Sequence, residues 1–164
     1  LDNISEEDLA GMLYENSDEP YCEELAKAIT NEIRRGNRID TTTKLRNVIE
    51  KTLDFLPNNK EKKDIIKKTC QRTFQALRID VNNEFEVLYE FMEKLPGALK
   101  PGGRVAILTF HSGEDKLVKK ALKAGYKEGI YSEYARDVVR PSAQECAQNG
   151  RARSTKMRWA VKAE

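Results

Sequence analysis

The chain has 164 residues, enough for one compact domain or two small ones. No apolar run approaches the roughly 20 residues of a membrane span, and no secretory leader is visible, so we expect a cytoplasmic protein without a membrane partner. The three cysteines, Cys22, Cys70 and Cys146, are widely separated, and there is one histidine. This pattern argues against a disulfide framework or a zinc site, and we expect no metal.

Charge is distributed unevenly along the chain. The net charge is +2, but residues 1–26 contain nine acids and no base, and the remainder has 29 bases against 18 acids. A basic body with an acidic amino-terminal segment is compatible with nucleic-acid binding. Solvated helix faces explain the same distribution equally well.

The amino-terminal third predicts a small layer of helices. Ser5, with Asp8 three residues later, is expected to cap the first helix. A second helix has apolar residues at a spacing of four and ends at Gly36, and residues 41–43 can cap a third helix. None of these helices is apolar on all sides, which indicates that each packs against something else.

Residues 60–95 form the longest predicted helical tract, either as one helix or as two with a break near Cys70. Its second part has an apolar stripe that we interpret as core: Leu77, Val81, Phe85, Leu88, Met92 and Leu95. Its first part is rich in lysine, which indicates a solvated face or, alternatively, an RNA contact. Pro96 and Gly97 are expected to end the tract.

The stretch at residues 99–115 predicts a sharp turn, a buried strand and a polar loop that opens a helix. Pro101 and two glycines allow the chain to reverse, and the apolar run at 105–110 suits a strand covered on both faces, as in a parallel sheet. Ser112, with Asp115 three residues later, is expected to cap the next helix. The single histidine, His111, lies in the loop, where open α/β sheets place their ligands.

The remaining elements complete an α/β order. A helix is expected to end near Gly125, residues 126–139 are ambiguous, and Ser142 with Glu145 caps a short helix. At the end of the chain Met157, Trp159 and Val161 alternate with more polar residues. This alternation predicts a half-buried terminal strand.

Three stretches together carry a family resemblance. The first is Arg-Thr-Phe-Gln-Ala-Leu-Arg-Ile at 72–79, with Val81, Asn82 and Glu84 behind it. The second is Leu-Lys-Pro-Gly-Gly at 99–103, followed by the strand and Phe-His-Ser, and the third is Asn-Gly-Arg-Ala-Arg-Ser at 149–154, with Lys156 and Arg158 behind it. In this order they resemble the MraW-type family of small-subunit ribosomal RNA methyltransferases.

The resemblance implies a fold and an activity. Members of that family methylate N4 of a cytosine with S-adenosylmethionine, on a Rossmann-like class I methyltransferase sheet. The chain then corresponds to an all-helical inserted domain at 1–70 and the carboxyl-terminal part of the catalytic domain at 71–164, with about three neighbouring strands. The family's glycine-rich cofactor loop has no counterpart here, so we expect no cofactor-binding residue in this chain and no activity from the chain alone. The exposed edge of the strand at 104–110 invites the missing amino-terminal half or a second copy.

Departures from the family pattern keep other functions open. Lys-Thr-Cys-Gln at 68–71 stands where the family has His-Pro-Ala-Thr, and Gly113 replaces a typical Leu. One alternative is a non-catalytic RNA-binding or ribosome-associated module derived from the family. Another is a structural partner that completes the sheet of a second chain.

The candidate site residues fall in three groups. His111 is the candidate catalytic residue, as a neutral hydrogen-bond acceptor near the target amine, with a loop-fixing role as the alternative. The candidate contacts to ribosomal RNA are Arg72, Gln75, Arg78, Arg151, Arg153 and Lys156. Salt bridges to nearby acids are the alternative for the arginines, and core packing is the alternative to base stacking for Phe74.

Overall fold

The computed structural model describes residues 1–164 and divides into two compact units, Leu1–Glu84 and Phe85–Glu164. The helices of the first unit are α1 (Glu6–Ser17), α2 (Cys22–Arg34), α3 (Thr42–Thr52) and α4 (Lys60–Asn82). The second unit contains α5 (Glu84–Ala98, from the boundary residue), β1 (Arg104–Thr109), α6 (Ser112–Lys127), β2 (Tyr131–Tyr134), α7 (Ala143–Gln148), a 3-10 helix (Gly150–Ser154) and β3 (Lys156–Lys162). No helix combines the length and the apolar character needed to cross a membrane.

The first unit is the predicted layer of helices. Ser5 and Thr41 cap α1 and α3 through side-chain oxygens that accept from the backbone N–H groups of Asp8 and Lys44, as the sequence predicts. Gly36, with φ of 83°, ends the turn after α2. The apolar faces of the four helices meet in one core, whose fully buried members include Leu9, Leu13, Leu25, Ile29, Ile49 and Leu53.

Helix α4 is continuous through Cys70, and the tract predicted at residues 60–95 divides into two helices at Asn83 instead. Asn83 takes the left-handed conformation, with φ of 49°, and separates α4 from α5. The predicted continuous stripe is therefore wrong, because its residues belong to two helices and Val81 is 77% exposed. Pro96 does not end α5 either, since the helix continues for two residues beyond it.

A buried carboxylate fixes how α4 packs in the first unit. Glu19, fully buried in the turn between α1 and α2, accepts from Arg72 Nε at 2.6 Å and from Thr69 Oγ1 at 3.4 Å. It also accepts from the backbone N–H of Tyr21 at 3.1 Å. A buried charge is tolerated only when it is paired and hydrogen-bonded, so the two donors on α4 hold one face of that helix against the turn.

The sheet of the second unit has the order β1-β3-β2, with both pairings antiparallel. The sequence predicted the α/β class and about three strands, and both are present. The expectation that residues 105–110 lie covered on both faces in a parallel sheet is wrong, because β1 has one neighbour in the sheet and Leu108 is 57% exposed.

One face of this sheet is covered by helices. Val105, Ile107 and Ala160 pack with residues of α5 and α6 in the second core. Met157 and Trp159 pair in register with Leu108 and Ala106 on the opposite face. The predicted terminal strand is confirmed, and its most buried residues are Arg158 and Ala160 rather than the larger apolar side chains.

Two threonines of α4 test the polar packing of the first unit. Thr73 is fully buried and its hydroxyl has no hydrogen-bond partner, whereas the buried Thr69 hydroxyl donates to Glu19. Thr73→Val should raise the free energy of unfolding by about 1 kcal/mol, and Thr69→Val should lower it by about 1 kcal/mol. Urea denaturation of the two variants measures both effects, and changes of the same sign in both would contradict this account of α4.

Candidate functional site

The loop after β1 is fixed by His111, which is the N-cap of α6. Its Nδ1 accepts a hydrogen bond from the backbone N–H of Glu114 at 3.4 Å. The predicted cap at Ser112 is wrong, since Ser112 is already the first residue of the helix. A ring nitrogen accepts only when it carries no proton, so in this arrangement the imidazole proton is on Nε2.

The carboxylate of Glu114 closes the same loop. Its Oε2 accepts from the backbone N–H of Phe110 at 3.0 Å, and its Oε1 lies 3.4 Å from His111 Nε2. The ring of Phe85 meets the imidazole edge to face, with centroids 5.8 Å apart. The histidine is therefore held on several sides, as the loop-fixing alternative expects.

A second ion pair ties the loop helix to the sheet. The guanidinium of Arg158, in β3, binds the carboxylate of Asp115 through Nε at 2.8 Å and Nη2 at 3.1 Å, and both side chains are largely buried. Arg158 Nη1 also donates to the carbonyls of Ala135 and Arg136, after β2. Hydrogen bonding from Arg158 lowers the pKa of Asp115 below its usual value.

The sequence did not predict this pair as a site feature. An arginine between apolar neighbours in a terminal strand reads as solvent-facing when the sheet's covered face is unknown. The alternation of residues in β3 could have indicated this pair, because it places Arg158 on the same face as the small Ala160. A long side chain can fill the space beside a small one.

The first unit contains an open groove of about 1030 Å³ beside α3 and α4. Its lining residues come from these two helices: Arg46, Glu50, Lys63, Ile66, Lys67, Cys70, Gln71, Phe74, Gln75 and Arg78. Four of the ten are basic and one is acidic, and that acid, Glu50, is paired with Arg46 at 2.8 Å. The groove therefore carries a net positive charge.

The predicted RNA contacts from the 72–79 stretch separate on α4. Gln75 and Arg78 line the groove, while Arg72 points to the buried Glu19, which favours the salt-bridge alternative for that arginine. Arg78 binds both carboxylate oxygens of Glu84, at 2.8 and 3.1 Å, and remains exposed. Sequence reasoning did not identify Arg46 as a groove residue, because it lies in a different helix.

The predicted contacts near the carboxyl terminus lie in the second unit. Arg151 and Arg153 are exposed in the 3-10 helix before β3. Lys156 opens β3 and pairs with Thr109, two residues before His111, so it lies at the same end of the sheet as the loop. Its positive charge also contributes to the lowered pKa of Asp115.

Comparison with known proteins decides the family. The model of the MraW methylase family matches residues 1–163. The chain belongs to the MraW methylase family. Two similar relatives, from Agathobacter rectalis and Lachnoclostridium phytofermentans, are 88% and 70% identical over 100% and 99% of the chain, and each is named "Ribosomal RNA small subunit methyltransferase H 1". A relative from Alkaliphilus metalliredigens, named "Ribosomal RNA small subunit methyltransferase H 2", is 58% identical over 99% of the chain.

The chain spans about half the length of these relatives, covering 47%, 44% and 46% of them. Gly113 lies close to the rings of Phe85 and His111. A Cβ atom at this position would lie 2.7 Å from Phe85 Cζ and 3.2 Å from His111 Nδ1. In this member of the MraW methylase family, the ring of Phe85 occupies the space that a larger residue at 113 needs.

The ion pair between Asp115 and Arg158 predicts a pH-dependent stability. Asp115→Asn leaves a buried guanidinium without its counter-charge, so the free energy of unfolding at pH 7 should fall by about 3 kcal/mol. The folded pKa of Asp115 is depressed, so its stabilising contribution is present above the unfolded value of about 3.9 and is lost as the pH falls through the folded pKa.

Denaturation of the wild type and of Asp115→Asn across a pH series measures this. The difference between the two proteins should shrink as the pH falls below about 4. Asp137→Asn, at an exposed acid in the same unit, is the control and should change stability little. A difference that stays constant through the acid range would contradict the assigned role of the carboxylate.

The cap at His111 makes a separate prediction. His111→Ala should lower the free energy of unfolding by about 1 kcal/mol, whereas His111→Asn, whose side-chain oxygen can accept from the Glu114 N–H, should lose less. Ser112→Ala is the control, and urea denaturation is the measurement. An effect of Ser112→Ala as large as that of His111→Ala would contradict the assignment of His111 as the N-cap of α6.

Proposed function

We propose that this chain is the RNA-facing portion of a methyltransferase that uses S-adenosylmethionine to methylate N4 of a cytosine in small-subunit ribosomal RNA. The observation that carries the proposal is the 88% identity, over the whole chain, to a relative named as a ribosomal RNA small subunit methyltransferase. The substrate is then ribosomal RNA or the small ribosomal subunit, in the cytoplasm.

The sheet supports a methyltransferase scaffold of the Rossmann-like class I type. In the proposed scaffold the three strands of this chain are neighbours. The order β1-β3-β2, with β3 antiparallel to both neighbours, has this arrangement. The proposed helical insertion is residues 1–70, and the proposed carboxyl-terminal part of the catalytic domain is residues 71–164. This boundary falls within α4, whereas the two compact units divide after Glu84.

We infer that this chain does not hold the cofactor by itself. Ligands in open α/β sheets bind where strand ends meet helix amino termini, and here that position is the first turn of α6. The turn is filled by acids, with Glu114 bonded to the Phe110 N–H and Asp115 bonded to Arg158. We therefore place S-adenosylmethionine on residues outside these 164, and we expect the chain alone to be inactive.

The proposed role of His111 is to hold the loop that borders the target base. Methyl transfer needs the exocyclic amine in line with the methyl group, so a displaced loop would lower the rate without any loss of a chemical group. The cap bond and the Phe85 contact hold the imidazole in one place. In this proposal His111 is a positioning residue.

The outer edge of β1 is the proposed contact for the rest of the catalytic sheet. β1 pairs with β3 along one edge, and its other edge has no strand partner. Such an edge presents unpaired N–H and C=O groups that bind another strand readily. The remainder of the protein or a second copy of the chain can supply that strand.

Deletion of the gene that encodes this chain tests the proposed activity. Small-subunit ribosomal RNA from the deletion strain should lack one methyl group on a cytosine N4, as measured by mass spectrometry of nuclease fragments. The intact gene should restore the methyl group, and a copy with His111→Asn should restore it at least in part. An unchanged methylation pattern after deletion would contradict the proposal and favour a non-catalytic RNA-binding module.

A further inference from the structure

We propose that the groove beside α3 and α4 holds an unpaired nucleotide of the RNA substrate, with Phe74 as its stacking platform. The proposal rests on the proposed function, because it takes RNA as the ligand. It adds a site in the helical unit that is separate from the His111 loop. Its volume of about 1030 Å³ is at the upper end of the range of small-ligand sites, so a nucleotide and its flanking phosphates can enter.

The positive charge of the groove wall favours a polyanionic ligand. Lys63 and Lys67, one turn apart on α4, are exposed on the groove wall and form no ion pair. Arg78 lies further along the same side and is exposed although it pairs with Glu84. Several cations along one wall suit a nucleic-acid backbone, because lysine and arginine side chains bind phosphate oxygens.

Phe74 places an aromatic ring on the groove wall, a feature that a site for phosphate alone does not require. The side chain is half-buried, with one part packed against the helical core and another part on the groove wall. Its position on α4 lies between the lysines and Arg78. An aromatic ring flanked by cations is the arrangement that binds single-stranded RNA, because every base has a face that can stack.

Two amides stand beside this ring. Gln71 and Gln75 lie one turn apart on the groove wall, on either side of Phe74 in the sequence. A glutamine amide both donates and accepts, so it can bond the Watson–Crick edge of a base that has left its helix. These groups can reach the edge of an unpaired base, whereas in a duplex that edge is already bonded. The proposed ligand is therefore a single-stranded segment of RNA.

The orientation of α4 keeps the groove open. Arg72 is bonded to Glu19 on the opposite side of the helix, and Thr69 and Thr73 are buried there. The groove residues follow from Lys63 to Arg78 at alternating steps of three and one, which places them on a different face of the helix. The buried ion pair therefore prevents the lysines and Phe74 from rotating into the core.

Fluorescence anisotropy of the 164-residue chain with a labelled single-stranded RNA of mixed sequence tests the cationic wall. Lys67→Ala should reduce the slope of log affinity against log salt by about 0.7, the value for one lost phosphate contact on a single strand. Lys68→Ala is the matched control, because it removes the same charge from the adjacent exposed residue, which is outside the groove. Equal changes in both variants would overturn the proposal.

The stacking platform is tested on the same RNA. Phe74→Leu should weaken binding about tenfold without changing the salt slope. Phe55→Leu, at an aromatic residue that is 65% exposed and outside the groove, should leave affinity unchanged. Circular dichroism checks that each variant is folded, and the exposed Lys67 keeps the proposal testable if Phe74→Leu unfolds.

Three further outcomes distinguish a failure of this inference from a failure of the proposed function. If duplex RNA of the same length competes as well as the single strand, the groove is not a site for an unpaired nucleotide. If the gene deletion removes the cytosine methyl group and the groove variants still bind RNA like the wild type, the inference fails and the proposed function stands. If Phe74→Leu and Lys67→Ala both weaken RNA binding but the gene deletion causes no methylation defect, the groove inference stands. The proposed methyltransferase activity is then contradicted.

Discussion

The ion pair between Glu19 and Arg72 is the interaction on which the helical unit depends. A fully buried carboxylate is costly unless it is bonded, and here three donors, two of them on α4, satisfy it. This requirement sets the rotation of a helix 23 residues long. Once that face is fixed, the lysines and Phe74 can lie only on another side. This buried ion pair thereby determines which side chains of α4 reach the surface. Arg72, a predicted RNA contact, instead fixes the helix whose groove face we propose binds RNA.

The sheet unit uses a second pair for a similar purpose. Arg158 reaches from β3 to Asp115 in α6 and to the carbonyls after β2, so one guanidinium joins three segments. The loop that contains His111 lies directly between β1 and α6. Its position therefore depends on both the cap and this pair. In the proposed enzyme, these contacts keep the loop in place for a base that the rest of the protein helps to bind.

Much of the fold could be predicted from local signals, because caps, turns and alternation act over a few residues. Ser5, Thr41 and Ser142 cap their helices as expected, each through a bond to the third residue beyond. What failed depended on distant partners. The apolar spacing continues past Asn83, so it does not reveal that the left-handed conformation of this residue ends α4. The predicted RNA contacts on α4 are also separated by the fold. Arg72 and Gln75 are close in sequence, but Arg72 faces Glu19 and Gln75 faces the groove.

The central claim is that the groove face of α4 is the surface that meets RNA, and cross-linking locates that surface directly. Ultraviolet cross-linking of the 164-residue chain to small-subunit ribosomal RNA, followed by peptide mapping, reports which residues lie against a base. We expect a cross-link at Phe74 or its immediate neighbours in α4. Cross-links confined to α1 and α2, which do not line the groove, would contradict it.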